Sequence, residues 1–291
     1  YIRSPLQWTI TCAAGVGVII AAAHFQINRG IWIPLLPPAI LWMACAAAVT
    51  SYMSNREKQD RALLMKLFSS QVSGAIAQEI WGNRDELLSE GKLVARAMHV
   101  TVLFTDLKGF TALSQTMPPT DLMNWLNEYL GAISKIVEKH GGIVNKYMGD
   151  ALMAIFGAPV SSPPEVTARS AVACALEMRS QFGEMKLGWQ LHGLPDLSMR
   201  VGIQTGPLVV GTLGGADRAE YTVIGDTVNT AQRMESFEKE IMDPDIAADG
   251  CRIIIGQATR NLLDGQFRMR SLGEFRLSGR KELLAIYGVI Q

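Results

Sequence analysis

Between Ser4 and Met53 the chain carries a single charged side chain, Arg29. A stretch that long and that apolar must be hidden, either in a protein core or in lipid. Two runs fill it, "LQWTITCAAGVGVIIAAAHFQI" (6–27) and "IWIPLLPPAILWMACAAAVTSYM" (31–53). Each is long enough to cross a hydrocarbon layer of about 30 Å. Trp8, Trp32, Trp42 and Tyr52 include residues placed where interfacial aromatics belong. Pro34, Pro37 and Pro38 would break a soluble helix, whereas a membrane span tolerates them as kinks. Two transmembrane helices are therefore expected, in preference to two buried core helices. A signal peptide does not fit two adjacent runs without a cleavage site.

Orientation follows from the basic residues. Arg56, Lys58, Arg61 and Lys66 come directly after the second run, so that side is expected to be cytoplasmic. The link "NRGI" then lies outside and Tyr1 inside, a multi-pass arrangement in the inner (plasma) membrane. The sequence starts at Tyr1, and a longer membrane protein with more spans or a sensor region upstream is expected. Over the whole chain 27 basic residues balance 27 acidic ones, so no net field points to nucleic acid. Cys12, Cys45, Cys174 and Cys251 show no metal or disulfide spacing, as suits a reducing compartment.

Three regions are expected: 1–53 with the spans, 54–94 as a linker helix, and 95–291 as a soluble domain. Leu63, Leu64, Leu67, Val72, Ile76 and Ile80 give the linker an apolar stripe at mixed spacings. Two readings fit it equally, a helix lying on its own domain and a helix paired with a second protomer. In the third region, "HVTVLFTDL" (99–107) reads as a buried strand. "PPTDLMNWLNEYLGAISKIVEKHGG" (118–142) reads as a helix, opened by prolines and closed by glycines. Strands at "IVNKY" and "ALMAIF" follow around the turn "MGD", then a helix over 165–186. "LSMRVGIQTG" and "LVVGTLG" read as two strands, and a helix from Asp226 to about Phe237 precedes two or three more. The order β-α-β-β-α-β is the ferredoxin-like arrangement, an α+β class.

Asp106 ends the first of these strands and Asp150 sits in the turn before the third. First and third strands are neighbours in that arrangement, so the two carboxylates converge on one edge. Oxygen ligands suit Mg²⁺ or Mn²⁺, which also bind phosphates. The plainer reading has one aspartate capping a helix and the other bridging Lys146. Gly109, three residues after Asp106 in "DLKGFT", permits close backbone approach, and the amides of 107–111 at a helix start form a pocket for phosphate oxygens. Farther on, Gly225 and Asp226 open a helix, with Asp226 expected as its N-cap. Asn229 and Arg233, four apart, share one face of it. That face is either plain solvated surface or an amide and a guanidinium aimed at a sugar and a phosphate.

"VLFTDLKGFTALS", "GGIVNKYMGDALMAIFG", "MRVGIQTGPLVVGTLG" and "EYTVIGDTVNTAQRME" together resemble the class III nucleotide cyclase catalytic domain, over roughly residues 95–290. The resemblance implies conversion of a nucleoside triphosphate to its 3′,5′-cyclic monophosphate and pyrophosphate. It implies a head-to-tail homodimer with active sites at the interface and Mg²⁺ or Mn²⁺, two ions per site. Carried over residue by residue, it gives metal binding to Asp106, the Leu107 backbone and Asp150. It gives the triphosphate turn to Gly109, Phe110 and Thr111, purine reading to Lys146 and Thr222, and ribose and transition-state contacts to Asn229 and Arg233. Lys146 and Asp150, close in sequence, then serve different sites of the dimer.

Lys146 only donates and Thr222 donates or accepts, which matches the N1 acceptor and N6 donor of adenine and so ATP. A guanylate cyclase is expected to carry an acid at 146. Thr222 resembles the subgroup that includes bicarbonate-responsive cyclases. Two departures stand out. Ser278 occupies the place of a family lysine, with Arg280 and Lys281 as possible substitutes, and Pro207 stands where some relatives have arginine. "EKEIMDPDIAADG" (238–250) reads as a polar surface insertion. His24, His99, His140 and His192 receive no catalytic role. The leading expectation is a membrane-anchored adenylate cyclase. A guanylate cyclase and a silent nucleotide-binding sensor are the alternatives.

Overall fold

The structure, a computed structural model, describes residues 14–22, 24–25, 28–30, 34, 36–68, 82–83, 87–89, 92–213, 220–237, 245–277 and 282–291. The chain divides into two compact units, Tyr1–Leu63 and Leu64–Gln291.

Residues 14–22 are helical, and a long helix α1 runs Leu36–Phe68. Half of the first expected span, residues 6–13, 23 and 26–27, lies outside the described residues. Among the described residues one helix is long and apolar enough to cross a membrane, Leu36–Arg56, with mean hydropathy 1.4 and none of that window buried. Leu36, Ile40, Leu41, Met43, Tyr52 and Met53 stand bare along it. That helix takes in the second expected run from Leu36 onward and extends three residues past Met53, while residues 31–33 and 35 lie outside the described residues. Pro37 and Pro38 fall in its first turn, where a missing N–H costs little, so they open the helix instead of kinking it.

The helix continues through the first part of the expected linker, with Leu63, Leu64 and Leu67 in its sequence. Val72, Ile76 and Ile80 lie outside the described residues. The linker helix does not reach residue 92. β1 (Leu88–Ser89) and β2 (Lys92–Leu93) pair antiparallel. The apolar spacing that suggested a helix ends at Ile80, and Gly82 and Gly91 interrupt the stretch beyond it.

From there the elements are β3 (Arg96–Lys108), α2 (Phe110–Thr116), α3 (Pro119–Lys139), β4 (Ile143–Met148), β5 (Ala151–Phe156), α4 (Pro164–Leu191), β6 (Ser198–Leu213), β7 (Glu220–Ile224), α5 (Asp226–Glu235), β8 (Cys251–Gly256), α6 (Gln257–Arg260), β9 (Met269–Phe275) and β10 (Leu284–Val289). The sheet order is β4-β5-β3-β6-β8-β10-β9, with β7 added to β6. β3 lies between β5 and β6, antiparallel to both, as the βαββαβ pattern requires. β6 and β8 are parallel. One expected break is absent: β6 is a single strand through Pro207. Pro207 stands opposite His99 with its own side chain exposed, pairing with β3 continues to Val210, and its carbonyl accepts from Thr227 Oγ1 at 2.8 Å.

α3 and α4 cover one sheet face. Trp125, Tyr129, Ile133 and Val137 of α3, at helical spacing, pack with Ala168, Ala171, Ala175, Met178 and Phe182 of α4 against Leu103, Ala154, Val201 and Ile253. The opposite face of β3 presents Val102, Phe104 and Asp106, by simple strand alternation. α5 lies against the sheet at β6. A Cβ at Gly202 would fall 2.3 Å from both Ala231 O and Glu235 N, so only glycine lets the helix settle there. That close approach sets the C-terminal end of α5 beside the strand that carries Arg200.

Candidate active site

The register of β3 on β5 pairs Thr105 with Leu152. Continued by two residues, it sets the hairpin turn residue Asp150 opposite Leu107. Leu107 N donates to Asp150 Oδ2 at 3.1 Å, and the Asp106 carboxylate stands next to it. The sequence expectation that these aspartates share one sheet edge therefore holds. The plainer alternative had one aspartate capping a helix; the helix that follows Asp106, α2, has Gly109 as its N-cap and no side-chain cap bond. Both are half-buried. Burial first, and then the Asp106 charge, push the Asp150 carboxyl up to about 6.

Asp106 also faces across the ladder to Arg200 on β6, and Arg252 on β8 is the next residue in that row. Arg200 Nη2 is paired with Asp106 Oδ2. Glu235, from the end of α5, closes over the arginines. Its Oε1 lies 3.1 Å from Arg200 Nε, and its carbonyl accepts from Arg252 Nη2 at 2.9 Å. The Arg200–Glu235 contact is one of charge only, since neither Nε nor Oε1 makes a hydrogen bond. Burial pushes the Glu235 carboxyl up to about 7 against the pull of Arg200, and brings the Arg252 guanidinium down to about 10.

Sequence reasoning missed Arg200 and Glu235. Thr227, Thr230, Ala231, Met234 and Glu235 form the buried stripe of α5. A glutamate on a stripe otherwise buried is the signal that was available. Asn229 is exposed and Arg233 half-exposed on the other side of the helix, so they do share the outer face. The helix begins at Asp226 as expected, but its N-cap is Gly225, and Asp226 sits in the first turn beside the positive helix end.

Asn145, the neighbour of Lys146 on β4 and a residue that sequence reasoning also passed over, reaches Thr222. The β4–β5 register slips between Val144 and Lys146, so Asn145 forms a bulge. The bulge turns a fully buried Asn145 toward β7, where its Nδ2 donates to Tyr221 O at 2.9 Å and its Oδ1 accepts from Thr222 Oγ1 at 3.5 Å. The Thr222 proton is thereby engaged and its oxygen remains an acceptor. Gly109 adopts φ 100 at the start of α2, a left-handed conformation natural to glycine, with Phe110 and Thr111 opening the helix. Ser278, Arg280, Lys281 and the first part of the 238–250 segment lie outside the described residues.

The donor set fits a hard divalent ion. Two carboxylates crowd one another, and Arg200 is paired with one of them, Asp106. Among the described residues no cluster of three or more His, Cys, Asp or Glu occurs, so an ion held by this pair would need further oxygens from outside these side chains.

The raised carboxyls make a pH prediction. The folded chain holds protons on Asp150 and Glu235 that the unfolded chain releases near 3.8 and 4.5. That stability is complete below those ordinary values and is lost as pH rises through about 6 and about 7. In a chelator, thermal denaturation is expected to give a melting temperature several degrees higher near pH ~5 than near pH ~8. Asp150→Asn and Glu235→Gln should flatten that slope, and Mg²⁺ should reverse it by favouring the ionised Asp150.

A family model described as the adenylate and guanylate cyclase catalytic domain matches residues 94–290. An adenylate cyclase of Anabaena cylindrica is 32% identical over 198 residues, 67% of this chain. The chain spans only 37% of that relative's length. The crystal structure of the adenylyl cyclase CyaB from P. aeruginosa superimposes with a TM-score of 0.62 at 32% identity, covering 68% of this chain and 97% of the other. That of the guanylyl cyclase Cya2 superimposes at 0.57 and 31% identity, covering 67% and 92%.

Proposed function

This chain belongs to the adenylate and guanylate cyclase catalytic-domain family, and from that premise we propose that it converts ATP to 3′,5′-cyclic AMP and pyrophosphate. The observation that carries the reading is the meeting of Asp106 and Asp150 at one sheet edge, directly before the Gly109 turn. The chain is organised as a membrane-anchored N-terminal part (1–53), a linker (54–94) and a catalytic domain (95–291) on the cytoplasmic side. The bare apolar helix Leu36–Arg56 and the basic residues after it support the anchor.

Asp106, Asp150 and the Leu107 backbone would hold the divalent ions, Mg²⁺ or Mn²⁺. When bound, two such ions lower the pKa of the 3′-hydroxyl and neutralise the leaving pyrophosphate. Gly109, Phe110 and Thr111 present backbone amides to the triphosphate. Lys146 donates to adenine N1 and Thr222 accepts from its N6 amine. Asn229 orients the ribose, and Arg233 offsets negative charge as it builds on the α-phosphoryl group. The 3′-oxygen forms a bond to the α-phosphorus, the bond to the bridging oxygen breaks, and the hydroxyl proton goes to solvent.

Asn229 and Arg233 are on the outward side of α5, which supports a site completed by a second protomer. A homodimer then has two sites, each with the aspartates of one chain and the lysine, asparagine and arginine of the other.

Guanylyl cyclases are among the similar structures, so GTP is the specific rival. The test is cyclic nucleotide formation from ATP and GTP measured separately. ATP is expected to win in kcat/KM by roughly 10²-fold, since GTP sets two donors against the Lys146 ammonium. Lys146→Glu should cut the ATP rate by a similar factor and raise the share of GTP. Equal turnover of both by the wild type would overturn the ATP assignment.

A further inference from the structure

Arg200 has a place in the site that the roles above leave unused. It stands directly across the ladder from Asp106 and is paired with it. Its other side faces Glu235, a buried carboxylate whose Oε1 is 3.1 Å from Arg200 Nε with the hydrogen bond unmade. Arg200 thus has one made bond, to a carboxylate assigned to metal, and one unmade bond, to a carboxylate with no metal role. Arg252, beside Arg200, fixes Glu235 from below through the Glu235 carbonyl. Glu235 cannot follow Arg200 toward Asp106, because α5 is pinned on Gly202. The guanidinium is the part free to turn.

We propose that Arg200 is a positioning residue for Asp106, holding its carboxylate while the divalent ion is away and turning onto Glu235 when Asp106 takes the ion. The inference rests on the metal role given to Asp106 above. It has two physical consequences. Arg200 competes with the ion for Asp106, because a unit positive charge at hydrogen-bond distance opposes a second cation. Glu235 eases the exchange by giving the displaced guanidinium a partner, which would otherwise be left buried and unpaired.

The consequences have opposite signs, and a purely structural role for the row would not. The measurement is binding of Mn²⁺ alone, without nucleotide, to the full chain in detergent near pH ~8, where Glu235 is ionised, followed by the loss of the free-ion electron paramagnetic resonance signal. Asp106→Ala must first abolish the binding. If the wild type binds no Mn²⁺, or Asp106→Ala binds as well as wild type, the metal reading itself falls and this proposal with it. Given that control, Arg200→Gln is expected to bind Mn²⁺ about 10-fold more tightly. Glu235→Gln is expected to bind it at least about 3-fold more weakly. Unchanged or weaker binding by Arg200→Gln, or loss in both variants, overturns the proposal. Should Arg200→Gln fail to fold, the wild type decides. On adding Mg²⁺, the Arg200 Nε–H resonance is expected to move downfield and exchange more slowly as it bonds to Glu235. A resonance that does not respond overturns the proposal equally.

Discussion

Asp106→Ala is expected to lower cyclic AMP formation by about 10³-fold or more while the fold survives. The loss in rate follows from geometry. Asp106 and Asp150 are the two carboxylates at the edge, and the Leu107 amide occupies Asp150 Oδ2. With Asp106 gone, one carboxylate with a raised pKa is left to hold ions that must neutralise a leaving pyrophosphate. A loss of several kcal/mol in transition-state stabilisation is what two-ion chemistry puts at stake. The fold survives because Arg200 keeps a second carboxylate partner in Glu235. Turnover with Mn²⁺ and ATP, beside a thermal melt of the same preparation, checks both halves. An Asp106→Ala enzyme with near wild-type turnover would remove the aspartate from the reaction.

The second large effect is on stability. Arg179 of α4 is buried and holds the end of the chain: Nη1 donates to Ile290 O at 2.7 Å, and Nη2 donates to Val289 O at 2.7 Å and to Ile246 O at 3.4 Å. Three carbonyls from two separate segments converge on one guanidinium. Arg179→Met keeps most of the apolar stem but leaves those carbonyls without their donor, in a place water does not reach. The expected cost is about 3–4 kcal/mol, which lowers the melting temperature by roughly 10 °C in a domain of this size. Chemical denaturation checks the first figure. A loss below about 1 kcal/mol would mean that the carbonyls find other donors.

Much of the site was readable in the sequence because strand order converts spacing into proximity. Once Asp106 ends a strand and Asp150 sits in the turn of the hairpin two strands on, the ferredoxin-like order brings them together. Gly109 was legible for a similar reason, since only a turn needs glycine there. The three residues that escaped depend on register. Arg200 meets Asp106 because the antiparallel register of β6 on β3 sets the two directly opposite, and strand order alone does not give that register. Asn145 reaches Thr222 through a one-residue bulge, which no periodicity signals. Glu235 looked like one more surface charge after Arg233 until the stripe of Thr227, Thr230, Ala231 and Met234 placed it inside. The helical linker was extended too far because its apolar spacing was followed past Ile80 into glycine-interrupted sequence.

The central claim is that each site is shared, with Asp106 and Asp150 from one protomer and Asn229 and Arg233 from its partner. The direct measurement mixes two inactive full-length variants, Asp106→Ala and Arg233→Ala, under conditions that let protomers exchange. Random pairing makes half of the dimers mixed, and each mixed dimer keeps one intact site of its two, so activity should return to about a quarter of the wild-type level. If every site were built within one chain, no pairing could restore it, and a mixture as inactive as its components would contradict the account.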